Sequence, residues 1–256
     1  MSKYYQVPRK TGNYEPGAKN PFRLSRSKVD LFLNCPRCFY LDRRLGIPPP
    51  PGYPFTLNTA VDELLKKDFD IHRLAGRAHP LMKKYGIKAK PLAHIKLNDW
   101  RDSLRKGVTF YHSRTGFFLT GGIDDVWISD DGELIVVDYK ATAKKEEVNL
   151  DADWQIGYKR QMEFYQWLFR KNGFKVSDIG YFVYANGKKD KAAFDGRLEF
   201  DVKIIPYKGN DGWVENTIMK IKNVLESEKM PLPAEDCDFC KYREAVKKTI
   251  DVRKNP

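Results

Sequence analysis

The chain has 256 residues, 41% of them hydrophobic, enough for one domain with insertions or a domain with a small cap. Lys and Arg total 46 against 34 Asp and Glu, a formal charge of +12 with a pI near 9.4, which favours a polyanionic partner: nucleic acid first, an acidic membrane surface second. No apolar run approaches membrane-spanning length and no signal-peptide core opens the chain, so the expectation is a soluble cytoplasmic protein with no membrane partner.

Residues 1–22 carry Gly, Pro, Asn, Lys and Tyr without periodicity and are expected to form a basic N-terminal arm, either following a phosphate backbone or lying on the surface as an ordinary tail. A first helix starts around Leu24-Ser25-Arg26-Ser27, where Ser25 or Ser27 can cap, and runs through Val29, Leu31, Phe32 and Leu33 to Cys35-Pro36-Arg37-Cys38. Pro48-Pro49-Pro50-Pro51 is a stiff connector. A second helix from Asn58 or Thr59 sets Val61, Leu64, Leu65 and Phe69 on one side and carries Asp62 and Glu63. Residues 73–112 are basic and mixed and are expected to form a helical insertion or cap, with Tyr85 and Trp100 as candidate stacking residues.

Two apolar runs, 123–128 and 134–139, flank Asp130-Asp131-Gly132 and predict a β-hairpin. Strand alternation puts Asp138 and Lys140 on one face, Val137 and Tyr139 on the other. A three-residue loop with Gly132 in the left-handed conformation pairs Ser129 with Glu133 and sets Asp124 opposite Asp138; a two-residue Asp131-Gly132 loop sets Asp125 there instead. Either way two carboxylates meet across neighbouring strands, a pairing that repels unless a cation sits between them. With a lysine beside them they suit a hard oxygen-bound cation, Mg²⁺ or Mn²⁺, and the lysine can hold an attacking water or offset charge building on a phosphate.

A helix follows from about Asp153 to Lys171, with Trp154, Tyr158, Gln161, Tyr165 and Leu168 on one stripe and Asn172-Gly173 as its stop. Strands over 179–185 and 197–205 and an amphipathic helix around 213–228 complete the pattern, which fits a mixed sheet flanked by helices. Near the end stands Cys237-Asp238-Phe239-Cys240. Two Cys-x-x-Cys pairs, at 35–38 and 237–240, signal one tetrahedral sulfur site that clips the N- and C-terminal segments together, and the bare spacing suggests structural zinc.

Gly121-Gly122-Ile123-Asp124, then Val137-Asp138-Tyr139-Lys140, then Gln161 and Tyr165, resemble in order the motifs of the PD-(D/E)XK nuclease superfamily, most of all its RecB-like branch, which includes iron–sulfur nucleases of CRISPR adaptation and of helicase–nuclease complexes. The resemblance covers roughly residues 24–243. It implies a restriction-endonuclease-like α/β core, a single nuclease domain over 23–243 and a basic C-terminal tail over 244–256. It also implies a metal held by Asp62, Asp124, Asp138 and the Tyr139 carbonyl, with Lys140, Gln161 and Tyr165 completing the catalytic set. The branch usually has histidine where this chain has Asp62; His72 or Glu63 are the other candidates for that role. Its [4Fe–4S] cluster is held by one N-terminal and three C-terminal cysteines. Cys35, Cys237 and Cys240 match three of these, and Cys38 stands in for the fourth.

The resulting expectation is a Mg²⁺- or Mn²⁺-dependent nuclease, with exonuclease and endonuclease action both left open. It would cut phosphodiester bonds of DNA, single-stranded or at a duplex end, in repair, recombination or defence, with partner proteins of such a complex. Two other readings stay open: a nucleic-acid-binding module that keeps the fold without activity, and a basic zinc-ribbon adaptor for protein partners.

Overall fold

Leu134-Ile135-Val136-Val137 is an unbroken apolar run of the kind that forms a strand covered on both faces, and one of the two units of the molecule is built on it. The computed structural model describes residues 7–52 and 56–254. In chain order they form β1 (Phe22–Ser25), α1 (Arg26–Asn34), α2 (Pro36–Arg43), α3 (Thr56–Leu74), α4 (Pro80–Lys84), β2 (Ala89–Pro91), α5 (Leu97–Arg101) and β3 (Val108–His112). There follow β4 (Phe117–Gly121), β5 (Asp125–Ser129), β6 (Leu134–Thr142), α6 (Ile156–Lys171), β7 (Ile179–Gly187), β8 (Phe200–Lys208), α7 (Val214–Glu226) and α8 (Asp238–Lys254).

The first unit to consider comprises residues 54–110 and 120–211. Its five-stranded sheet has the order β2-β5-β6-β7-β8, parallel between β6 and β7 and antiparallel elsewhere. A parallel pair cannot be joined by a tight turn, so residues 143–178 make the crossover and include α6. One face of β6, through Ile135, Val137 and Tyr139, packs in a core with Val61, Leu65 and Phe69 of α3 and with Trp127 and Val183. Within the 73–112 stretch, Ala89–Pro91 pairs with β5 and therefore belongs to the sheet. Three residues ending in proline fit an edge position, where a missing N–H costs little.

The helix expected over 153–171 begins as a 3-10 turn, Asp153–Gln155, and α6 proper starts at Ile156. It is not one-sided: every residue from 162 to 169 is buried. Its buried polar members make hydrogen bonds through Glu163 Oε1 and Gln166 Nε2, while Gln166 Oε1 is buried with no hydrogen-bond partner among the described residues. Glu163 Oε1 accepts from Tyr207 Oη at 2.6 Å, and Gln166 Nε2 donates to the carbonyls of Ser177 and Asp178 at 3.1 and 2.9 Å. Trp154, set by periodicity on one helical stripe with Tyr158, Gln161, Tyr165 and Leu168, lies in the 3-10 turn and is 57% exposed.

The other unit comprises residues 1–53, 111–119 and 212–256, of which the described part holds α1, α2, α7 and α8. Val214, Ile218, Ile221 and Leu225 recur at helical spacing along α7 and are fully buried. Residues 7–22 are docked rather than extended: Tyr14 is buried edge-on to Phe22 and Phe117, and Arg9 Nη1 reaches Asp42 at 3.0 Å. Of the stretch expected as a tail, residues 244–254 are helical in α8, whose Glu, Ala, Lys and Arg residues favour helix, and residues 244–251 are solvent-exposed. Strands β1, β4 and β3 form a three-stranded sheet in that order.

Candidate active site and cysteine site

Gly132 decides the register of the central hairpin. Its φ of +76° is open to glycine at little cost, its N–H donates to Ser129 O at 3.0 Å, and Ser129 N donates to Glu133 O at 2.9 Å. The ladder pairs Asp125 with Val137 and Ile128 with Leu134. Continued by one residue, this three-residue-loop register sets Asp124 opposite Asp138, and Asp124 Oδ2 accepts from Tyr139 N at 2.9 Å.

Asp125, next along, turns into the core and is fully buried. There it is ion-paired with Arg73 and with Arg101 at 3.0 Å, and it accepts from Tyr139 Oη at 2.7 Å. Arg101 also donates through Nε to Asp124 O at 3.0 Å and forks onto both oxygens of Asp70 at 2.8 and 3.0 Å. This charged network fixes the main chain of Asp124 from behind. Burial, then Asp125, pushes the Tyr139 phenol well above its ordinary value, so it acts there as a neutral donor.

Asp62, Asp124, Tyr139, Lys140, Tyr158 and Gln161 are among the residues lining a cavity of about 330 Å³. Asp138 lies behind this wall, 1% exposed, in an ion pair with Lys140. Burial acts to lower the Lys140 pKa, but the charges of Asp138 and Asp124 outweigh it and raise it above the usual lysine value. Lys140 is therefore a held cation in this arrangement, and its Nζ sits 4.5 Å from the centroid of the Tyr158 ring. Gln161 Nε2 donates to Tyr165 Oη at 3.3 Å. Tyr165 is buried and packs so tightly on Gly121 that a Cβ there would stand 2.5 Å from its ring, which gives the glycine before Asp124 a steric reason.

Of the three candidates on the α3 segment, Asp62 lines the cavity, Glu63 is exposed, and His72 belongs to a separate group with Asp68 and His79. Burial, then the Asp124 charge, raises the Asp62 pKa. Lys66, one turn on, opposes this shift: its Nζ is 2.6 Å from Asp62 Oδ2 and 3.7 Å from Asp124 Oδ1. Lys66 and the Asp70–Arg73–Arg101–Asp125 network lay beyond sequence reasoning. Only the i,i+4 spacing of Asp62 and Lys66 offered a local signal.

The four cysteines come together. Cys38 Sγ lies 3.5 Å from Cys237 Sγ and 3.7 Å from Cys240 Sγ, and Cys35 Sγ lies 3.8 Å from Cys240 Sγ. One thiol is activated: burial works against ionisation of Cys35, but the backbone N–H groups of Ala234 and Cys38 outweigh it and bring the thiol down to about 7. Arg243 donates through Nη2 to Cys38 Sγ at 3.1 Å and to Cys240 Sγ at 3.4 Å, the hydrogen bonding that a thiolate cluster attracts. The donor set and its spacing fit a metal.

The central strand of the mixed sheet thus carries an Asp-x-Lys pair, faced across the hairpin by a second aspartate. The family profile of the PD-(D/E)XK nuclease superfamily matches residues 23–245, and the chain belongs to that superfamily. Among solved structures, the crystal structure of SSO0001 is similar with a TM-score of 0.34 and 15% identity, over 84% of this chain and 81% of that one. No curated protein matches the sequence. Among the described residues, no helix is long and apolar enough to cross a membrane.

Proposed function

We propose that the protein is a metal-dependent deoxyribonuclease of the RecB-like branch, acting in the cytoplasm in DNA repair, recombination or defence alongside partner proteins. The observation that carries this reading is the convergence of Asp62, Asp124, Lys140 and Gln161 on one cavity, with Asp138 ion-paired behind Lys140. The cation between Asp62 and Asp124 is now Lys66, which supports a site that draws positive charge. Asp62, Asp124 and Asp138 would hold Mg²⁺ or Mn²⁺, together with the Tyr139 main chain, whose phenol is turned away onto Asp125. When bound, such an ion lowers the pKa of water and polarises a phosphate.

The residues of the chain supply the rest. Lys140 keeps its charge and offsets the negative charge that grows on the phosphate as water adds to phosphorus and the P–O ester bond breaks. Gln161, held by Tyr165, orients the phosphate backbone, and Arg101 keeps Asp124 in place through its carbonyl. Purified protein should degrade DNA with Mn²⁺ and stop when EDTA is added. A panel of single-stranded, duplex, nicked and circular substrates separates exonuclease from endonuclease action. Metal-independent binding without cleavage of any of them would select the non-catalytic binding module, a reading favoured by the self-neutralising contact of Lys66 with both acids.

At the cysteine site the resemblance supports a [4Fe–4S] cluster. The thiol spacing supports a single zinc, because Zn–S bonds of about 2.3 Å place tetrahedral sulfurs roughly 3.8 Å apart. Iron, sulfide and zinc content of purified protein decide between the two.

A further inference from the structure

The crossover from β6 to α6 runs past the cavity and presents an aromatic side chain that the proposed chemistry does not use. Trp154 is 57% exposed, although it sits in a closely fitted segment. Its neighbour Gln155 is fully buried, donating to Asn149 O at 2.7 Å and to Tyr184 Oη at 3.3 Å while accepting from Ala152 N at 2.9 Å. Val148 and Leu150 are buried, and Lys144 is tied to Asn186 by reciprocal bonds of 2.8 and 3.1 Å between main chain and amide. With Gln155 anchored inward, the adjoining Trp154 is held outward. An indole presents a large flat face, and held outward from an ordered segment that face is available to a ligand.

Its surroundings name the ligand. The Trp154 ring meets Tyr158 edge to face at 5.4 Å; Tyr158 lines the cavity and carries the Lys140 ammonium 4.5 Å from its centroid. Lys144 Nζ lies 5.2 Å from the centroid of the Trp154 ring. A pair of rings with an ammonium at each end, Lys140–Tyr158–Trp154–Lys144, thus leads outward from the cavity. Flat apolar faces flanked by ammonium groups recognise unpaired nucleobases on a phosphate chain, whereas a base inside a duplex has both faces covered.

Resting on the nuclease reading for the direction of the strand, we propose that Trp154 stacks on an unpaired base next to the scissile phosphate, with Lys144 on the adjoining phosphate. The site therefore takes a single-stranded or frayed strand. Trp154 is a positioning residue in this scheme and touches no reacting group.

The test is fluorescence anisotropy in EDTA, so that no cleavage intervenes, with a single-stranded oligothymidylate and a blunt duplex of equal length as probes. W154A should weaken oligothymidylate binding by roughly 5- to 150-fold, the range for loss of one stacked base, and change duplex binding less than twofold. W154F should recover most of the loss, and thermal unfolding of both variants should match the parent. Unchanged oligothymidylate affinity in W154A, an equal loss on the duplex, or failure of the parent to bind the oligonucleotide would each overturn the proposal. Because binding is read without metal, a parent that binds in this Trp154-dependent way but never cleaves would overturn the nuclease reading alone. A parent that cleaves with Mn²⁺ while W154A binds unchanged would overturn the stacking alone.

Discussion

Lys66 Nζ lies 2.6 Å from Asp62 Oδ2, one helical turn along α3, and so the acid that departs from the family pattern is neutralised by its own helix. A divalent ion at Asp62 and Asp124 must displace that ammonium. Lys66→Met should therefore tighten Mn²⁺ binding by roughly two- to fivefold, the size of one partly exposed ion pair. Asp62→Ala should weaken Mn²⁺ binding and cleavage together, and Asp62→His should restore both. Manganese titration followed by electron paramagnetic resonance measures all three; weaker binding in Lys66→Met would show that the lysine supports the site instead of competing for it.

The Asp138–Lys140 pair separates chemistry from stability. Asp138→Ala and Lys140→Ala should each abolish cleavage, with metal binding retained in the lysine variant. Each also strands a buried or nearly buried charge, at a cost of about 3–5 kcal/mol, whereas an Asp138→Asn/Lys140→Met double variant removes both charges and should be more stable than either single one. Thermal unfolding reads this order. A double variant as unstable as the sum of its parts would mean that the two side chains are not coupled.

His79 gives a pH signature. Its Nδ1 accepts from Leu81 N at 3.1 Å to cap α4, and Nε2 meets Asp68 at 3.1 Å. The cap needs an unprotonated Nδ1. Burial, with the charge of His72 assisting and Asp68 opposing, lowers the His79 pKa below its ordinary value. The unfolded chain then binds this proton more readily, so the stabilising contribution is complete above the ordinary histidine pKa of about 6.5 and is lost as pH falls through the lower folded value. His79→Asn keeps a capping acceptor that does not titrate. Denaturant midpoints should fall less for His79→Asn than for the parent as pH drops below about 6.5; parallel curves would show that the histidine does not control this region.

The cysteine site should act through stability. Cys237→Ser is expected to lower the unfolding temperature and soluble yield, with cleavage reduced only in proportion to folded protein. A brown anaerobic preparation with visible thiolate-to-iron absorption identifies an iron–sulfur cluster, and a colourless one with one zinc per chain identifies zinc. Four freely titrating thiols in the native protein would reject a shared metal altogether.

The hairpin was legible from its two apolar runs and Asp-Asp-Gly turn, but its register stood between Asp124 and Asp125 opposite Asp138 until Gly132 at positive φ and the Ser129–Glu133 bond fixed the three-residue loop. The two Cys-x-x-Cys pairs were legible because chelation imposes its own spacing. The network behind Asp124 was not, since Arg73 and Arg101 stood in a stretch whose positive charges all look alike until Asp125 is seen to be buried between them. Trp154 misled for a similar reason. Helical periodicity ran on through it, whereas the anchoring of Gln155 by Asn149 and Tyr184 turns the chain before α6 begins.

The unit that holds the cysteines is written in three separate pieces of chain, residues 1–53, 111–119 and 212–256, and all of the other unit is written between them. About 200 residues separate Cys35 and Cys38 from Cys237 and Cys240, so a four-thiol metal site would close a loop of chain that contains every residue of the other unit. A metal at these thiols would therefore restrain the unfolded chain through one very long loop, while the acidic pair depends only on strand pairing inside that loop.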